Sequence, residues 1–267
     1  MELIGEKHFP LFEEQLGKRL GLSFFPAAAQ TYPRKQDYRI MCGLAGLGAT
    51  CYKFAFDLRI MSSPNFGEVR EGFGKNQVGS SAMPFKQNPI RSEKVDSLAR
   101  FLAQAPRLAW DNAAHSLFER TLDDSANRRT LLPEAFLITD ELLRVIKHIL
   151  ANLEVDRDRI AELFSIHGPF AATERVLMAL VEAGADRQVA HEKLRTLSLR
   201  AREDIRAGKA NPLEELICEE PGFQELLSEE ELKSVMNPEG YTGFAEKRTR
   251  LLAERIREAI RGEGMVE

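Results

Sequence analysis

Apolar residues recur every three or four positions along most of the chain, which is the spacing of one face of an α-helix. The most regular stretch runs from Ile40 to Met61, whereas the alternation typical of strands is almost absent. A helix of about 30 residues is about 45 Å long, longer than a compact domain of this size needs. Its predicted inward positions are Ile40, Met41, Leu44, Leu47, Cys51, Phe54, Leu58 and Met61. We therefore expect an all-α protein built on a bundle of long helices.

A proline indicates where this long helix begins, and glycines within it indicate where a neighbouring helix packs. The stretch QTYPRKQD (residues 30–37) begins it, with Pro33 in the first turn, where proline is well tolerated. Gly43, Gly46 and Gly48 lower the helix propensity inside it, so we predict that a neighbouring helix approaches there.

Further helices are predicted on both sides. An amphipathic helix covers residues 2–20 and ends near Gly21. A second long helix covers residues 93–120 and bends at Pro106, and a third covers residues 131–153.

The composition of the chain and the length of its predicted helices change near Val155. Beyond it, the predicted helices are shorter, richer in charge and separated by glycine and proline. We interpret residues 1–154 as a central helical-bundle domain, incomplete and carrying a loop at 74–90. Residues 155–267 are interpreted as a small, all-helical C-terminal domain.

Composition excludes several classes of protein. The chain is 43% hydrophobic and 29% charged, and its net charge of -4 argues against a dedicated nucleic-acid-binding protein. Its apolar runs are too short to span a bilayer, and residues 1–15 lack the apolar core of a signal peptide, so we expect no membrane partner. No HxH or HExxH pattern occurs, and we expect neither a metal nor a cofactor.

The cysteines indicate a reducing compartment. Their odd number and the lack of a CxxC pattern predict reduced thiols and a cytoplasmic location. Cys42 and Cys51 lie among apolar residues, so we expect both in the core.

The segment GSSAMPFKQNPIRSE (residues 79–93) has two adjacent serines after a glycine, and then a lysine and an asparagine between two prolines. It is not a P-loop, because no glycine pair of that spacing is followed by lysine and then serine or threonine. Small residues at 79–82 would let backbone N–H groups form an anion-binding nest, to which Lys86 adds a charge and Asn88 a donor. Such a site could hold a carboxylate beside a carbon that loses its proton to a serine. A capped surface turn leading into a helix remains the alternative.

GSSAMPFKQNP resembles GSSxMPxKxNP, the signature loop of the fumarase/aspartase superfamily of lyases. The stretches QTYPRKQD, LFERTLDDSANRR, PEAFL, AHEKLR and NPEGYTGFAEK, in this order, are similar to the adenylosuccinate lyase family. The resemblance covers essentially the whole chain. It implies release of fumarate by anti elimination from adenylosuccinate and from the succinocarboxamide intermediate of purine synthesis.

The resemblance also implies roles for the loop. Ser80 would be the general base, while Ser81 and Met83 would contribute to substrate binding. Lys86 and Asn88 would stabilise the carbanion. Glu93 aligns with the acid that orients a catalytic histidine.

A second group implied by the resemblance would hold the nucleotide. Ser125 and Arg129 lie four positions apart, on one face of a helix, and a hydroxyl with a guanidinium suits a phosphate. Gln30 would contact the substrate, and Lys94 stands where many family members have an arginine. Without the resemblance, the charges of residues 123–129 would be interpreted as a solvated ion-pair cluster.

Family members carry their catalytic histidines in a region that precedes the part resembled here. None of His8, His115, His148, His167 and His191 lies in such a pattern. We therefore expect the C-terminal portion of such a lyase, with little activity alone. Family active sites combine three subunits of a homotetramer, so a homo-oligomer is expected. Alternatives are a split enzyme, a related lyase such as argininosuccinate lyase, or a non-catalytic helical module for oligomerisation or binding.

Overall fold

The computed structural model describes residues 4–74, 83, 85–238 and 242–263. Within them the elements are α1 (Phe9–Leu20), α2 (Lys35–Met61), β1 (Val69–Arg70), α3 (Ile90–Leu102), α4 (Ala105–Ala114), α5 (Asp123–Ala151), β2 (Glu154–Val155), α6 (Arg157–Glu182), α7 (Arg187–Arg206), α8 (Leu213–Cys218), α9 (Pro221–Gln224), α10 (Glu229–Met236) and α11 (Ala245–Glu263). The predicted all-α class is confirmed. No helix in these described ranges is long and apolar enough to cross a membrane.

The chain divides into two compact units, Met1–Asp156 and Arg157–Glu267. That each unit is a domain in its own right stays a prediction.

The first unit is organised around α2, which packs against α3, α4 and α5. Each helix contributes apolar side chains at helical spacing to one core, and full burial of each large one contributes about 1.5–3 kcal/mol. The largest of these buried side chains are Met41, Leu58, Val95, Leu102, Leu142 and Ile149.

The glycines of α2 were predicted to allow the close approach of a neighbouring helix, and one of them does so. A Cβ atom on Gly48 would lie 3.1 Å from Leu102 Cδ2, so this glycine does allow a close approach of α3. Gly43 and Gly46 face open space, and for them the prediction is wrong. Cys42 is also exposed rather than in the core, whereas Cys51 is buried as expected.

Several predicted helix limits are wrong. α1 begins at Phe9, and α2 begins at Lys35, so that Pro33 precedes it. The helix expected to bend at Pro106 is two helices, because the chain turns at residues 103–104 and Pro106 lies in the first turn of α4. α5 begins at Asp123, eight residues before the predicted start.

A short antiparallel pair of strands joins the end of α2 to the end of α5. Val69 faces Val155 and Arg70 faces Glu154, while Asp156 N donates to Glu68 O at 2.9 Å. Just after β1, a Cβ atom on Gly72 would lie 2.4 Å from Asn152 O, so this backbone contact requires glycine. The chain that leads towards the predicted loop therefore lies against the end of α5.

In the second unit, α6, α7, α8 and α10 enclose a separate apolar core. At 26 residues, α6 is longer than predicted. Asp186 caps α7, and Ser228 with Glu231 forms a capping box on α10. The largest fully buried side chains of this core are Val176, Leu180, Leu213, Ile217, Phe223, Leu232 and Met236.

Candidate functional site

A groove of about 530 Å³ lies where the C-terminal end of α2 meets the segment that precedes α3. Three residues predicted from the sequence, Lys86, Asn88 and Glu93, line it together with Arg59 of α2. Lys86 is exposed and Asn88 is half-buried, while Met83 O accepts a hydrogen bond from Lys86 N at 3.0 Å. The groove thus presents cationic and amide donors next to a carboxylate. Ser80 and Ser81 lie outside the described residues.

Arg59 forms an ion pair on one side of the groove. Its guanidinium donates to Asp96 Oδ2 at 2.7 Å, and Asp96 is almost fully buried on α3. This hydrogen bond raises the pKa of Arg59, and the charges of Asp96 and Glu93 act in the same direction. The pair therefore joins the end of α2 to the helix that carries Glu93.

The start of α3 is held by a carboxylate from before the loop. Glu71 is buried, and its oxygens accept from Arg91 N at 3.0 Å, from Ser92 N at 2.9 Å and from Ser92 Oγ at 2.9 Å. The guanidinium of Arg91 donates to Gly72 O at 3.4 Å. Glu71 thus contacts the chain 20 and 21 positions further on, across the segment that the sequence predicts as catalytic.

Lys94 has a partner within the chain. Its ammonium forms an ion pair with Glu141 of α5 and lowers the pKa of that carboxyl, first through the hydrogen bond and then through its charge. The side chain of Lys94 is 51% exposed and that of Glu141 is 37% exposed, and ion pairs in contact with water are worth little. Lys94 therefore remains free to turn towards a ligand at small cost.

A buried charge network joins the start of α2 to the start of α5. Arg128 Nε donates to Asp37 Oδ2 at 2.6 Å, and Arg34 Nε donates to Asp124 Oδ2 at 2.6 Å. Tyr32 Oη donates to Asp37 Oδ1 at 2.6 Å and accepts from Arg128 at 2.5 Å. Burial, together with the hydrogen bond to Asp37, raises the pKa of Tyr32.

This network positions the second group of predicted residues. Ser125 and Arg129 lie in the first turns of α5, the former half-buried and the latter exposed. Gln30 is exposed on the segment that leads into α2. The sequence alternative of a solvated ion-pair cluster does not describe Asp124 and Arg128, whose carboxylate and guanidinium are largely withdrawn from water.

The two groups of predicted residues lie at opposite ends of α2. Asp37, which contacts α5, and Arg59, which lines the groove, are separated by about 33 Å at a rise of 1.5 Å per residue. One copy of the chain therefore does not bring Ser125 and Arg129 to the groove that holds Lys86 and Asn88. The role of every predicted site residue stays a prediction.

Sequence reasoning missed Glu71, Arg59 and Asp96. Glu71 stands between Arg70 and Gly72, and a contact 20 positions away leaves no local pattern. The only signal was indirect: the N-cap position of α3 is Pro89, which has no side-chain acceptor, so some other group must satisfy the N–H groups of that helix.

The described residues hold no cluster of three or more histidine, cysteine or acidic side chains that could bind a metal.

Comparison with solved structures identifies the class of fold. The chain matches 3-carboxy-cis,cis-muconate lactonizing enzyme from Pseudomonas putida with a TM-score of 0.76 at 24% identity, over 95% of this chain and 55% of that one. It matches fumarate lyase from Mesorhizobium sp. BNC1 with a TM-score of 0.70 at 24% identity, over 87% and 49%. At this identity the likeness concerns the fold alone, which is the helical fold of these enzymes.

Sequence comparisons narrow the class to one family. The family model described as "Lyase" matches residues 8–101, and that described as "Adenylosuccinate lyase C-terminus" matches residues 169–251. Adenylosuccinate lyase of Schizosaccharomyces pombe is 39% identical over 84% of this chain and 46% of its own length. That of Saccharomyces cerevisiae is 40% identical over 87% and 48%. The chain belongs to the adenylosuccinate lyase family, and it spans about half the length of the curated relatives it matches.

Proposed function

We propose that this chain supplies part of the active site of a lyase that releases fumarate from adenylosuccinate and from the succinocarboxamide ribotide of purine synthesis. The observation that carries the proposal is the groove lined by Lys86, Asn88 and Glu93 in a chain of the adenylosuccinate lyase family. A cytoplasmic location and assembly as a homo-oligomer, a tetramer in the family, belong to the same proposal.

The chemistry assigned to the groove is an elimination. Ser80 removes the proton on the carbon next to a carboxylate, and the electron pair of that C–H bond is first held by the carboxylate. The positive charge of Lys86 and the amide of Asn88 stabilise the charge that develops there. The pair then forms the carbon–carbon double bond of fumarate as the C–N bond breaks, and an acid from outside this chain protonates the leaving nitrogen.

Ser125 and Arg129 are proposed to bind the phosphate of a substrate whose reacting carbon lies in the groove of another copy. The separation of about 33 Å along α2 supports this arrangement, because a nucleotide substrate is far shorter. Gln30, next to the same end of α2, would contact the same nucleotide. Each complete site would then combine residues of different copies.

The test is a chimera in which this chain replaces the matching part of the Schizosaccharomyces pombe relative. We expect the chimera to release fumarate from adenylosuccinate, followed by ultraviolet absorbance, and the chain alone to release little. Lys86→Ala should lower kcat by about 100-fold or more, because a group that stabilises developing charge is removed. Ser97→Ala, on the exposed side of α3, is the matched control and should leave the rate unchanged.

A folded, oligomeric chimera without activity would contradict the proposal and favour the non-catalytic helical module. Efficient release by the chain alone would show instead that it contains its own acid.

A further inference from the structure

Every backbone N–H group in the first turn of α3 has a hydrogen-bond acceptor. An α-helix begins with four N–H groups that have no partner inside the helix. In α3 the N-cap residue Pro89 has no N–H group, Ile90 N donates to Asn88 O at 2.8 Å, and Glu93 N already makes the first regular helix bond, to Pro89 O at 2.9 Å. The two between them, Arg91 N and Ser92 N, donate to Glu71. Because the N-cap position is Pro89, no local side chain replaces Glu71 in this task.

Glu71 is itself held in place by the contacts of the residues on either side of it. The residues before it pair with β2, at Val69 and Arg70, and the residue after it contacts Asn152 through the close approach at Gly72. Glu71 is only 5% exposed, so its carboxylate is fixed by packing as well as by hydrogen bonds. The start of α3 is therefore connected, through one side chain, to the end of α5.

Charge favours the same arrangement. The N-terminus of a helix carries a partial positive charge, and a carboxylate is stabilised there. The guanidinium of Arg91 lies 3.9 Å from Glu71 Oε1 and adds to this effect. A neutral side chain at position 71 would lose both contributions.

The residues of the groove are close to this connection along the chain. Asn88 is three positions before Arg91, so its Cα atom stays within about 10 Å of that of Arg91 when Arg91 is held. Glu93 lies in the first helical turn and moves only with the helix. The position of both therefore depends on Glu71.

We propose that Glu71 is a positioning residue of the lyase site, which holds Lys86, Asn88 and Glu93 in register with the end of α2 by capping α3 across the loop. This inference rests on the proposed function. It assigns Glu71 no contact with the substrate. Its effect on the reaction passes through the groove residues.

The test compares Glu71→Ala and Glu71→Gln with the wild-type sequence, in the 267-residue chain and in the chimera. Glu154→Gln is the matched control, because it weakens an exposed ion pair with Arg70 beside the same strands but leaves the cap intact. In Glu71→Ala, amide hydrogen exchange at Arg91 and Ser92 should rise about tenfold, the effect of losing one hydrogen bond. Trypsin should also cut the Lys86–Gln87 bond faster.

In the chimera, kcat should fall about tenfold or more with little change in KM, since displaced groups lose transition-state stabilisation rather than binding. Glu71→Gln keeps an acceptor oxygen and should lie between Glu71→Ala and wild type in every measurement. If Glu71→Ala does not fold, the same measurements on Glu71→Gln and on the wild-type sequence provide the test.

Unchanged exchange at Arg91 and Ser92 would overturn the inference, even in an active enzyme. Faster exchange with unchanged kcat and unchanged cleavage would reduce Glu71 to a helix cap and also overturn it. If the wild-type chimera is inactive, the proposed function fails, and exchange and cleavage still show whether Glu71 holds this segment.

Discussion

Two buried aspartates, Asp37 and Asp124, depend on neighbouring guanidinium groups for compensation of their charge. A buried ion pair adds little to stability relative to well-packed apolar groups, but removal of one partner leaves a buried charge without compensation. Arg128 lies within ion-pair distance of both carboxylates, at 2.6 Å from Asp37 and 3.8 Å from Asp124. It is therefore the residue on which this network depends most.

Arg128→Met keeps the aliphatic bulk of the side chain and removes its charge. We expect the free energy of unfolding to fall by about 3–5 kcal/mol, because Asp37 loses the guanidinium that compensates its charge while it stays buried. Arg144→Met on the same helix is the control: its pair with Asp140 is exposed, and its loss should cost less than about 0.5 kcal/mol. Urea unfolding of both variants measures the difference, and equal losses would contradict the assigned role of Arg128.

At the scale of single elements, the sequence predicted the long helices well and their interruptions poorly. Spacing of apolar residues is a local property, so α2 and most of α5 could be predicted from it. Whether Pro106 bends a helix or begins a new one depends on whether tertiary contacts stabilise a turn at residues 103–104. The cap from Glu71 to α3 could not be predicted, because the two ends of the contact are 20 positions apart.

Alanine substitutions at two glycines of α2 allow the effect of helix propensity to be distinguished from the effect of packing. Gly46→Ala should raise the free energy of unfolding by about 0.5–1 kcal/mol, because alanine is the better helix former and the site faces open space. Gly48→Ala gains the same propensity but places a Cβ atom 3.1 Å from Leu102 Cδ2, so Leu102 must shift. We expect Gly48→Ala to be less stable than Gly46→Ala by at least about 1 kcal/mol in urea unfolding. Equal gains at both positions would show that α2 and α3 do not meet at Gly48.

At the scale of the whole molecule, the groups of the candidate site were predicted but their separation was not. Lys86, Asn88, Ser125 and Arg129 were identified from the resemblance of short stretches, which carries no information on distance. The structure supplies that information by placing the two pairs near opposite ends of α2.

A complementation experiment tests whether copies share sites. The chimeras Lys86→Ala and Arg129→Ala should each be nearly inactive, and subunit exchange between them should restore fumarate release well above the sum of the two. The restoration is expected because some sites of a mixed oligomer receive an intact groove from one copy and an intact Arg129 from another. Exchange between Lys86→Ala and Asn88→Ala is the control and should restore nothing, since both defects lie in the same groove. A mixture of the first pair that stays at the sum would contradict the proposed shared sites.

The length of α2 has a consequence for how this sequence can change over time. The helix between Asp37 and Arg59 fixes the distance and the relative orientation of these two residues. Each inserted residue would turn one end of the helix by about 100° relative to the other and lengthen the helix by about 1.5 Å. Substitutions along the exposed side of this stretch leave both ends in place. Insertions and deletions do not, because they would move Asp37 out of reach of Arg128 or Arg59 out of reach of Asp96. The spacing between these two residues is thus more constrained than the identity of most side chains between them.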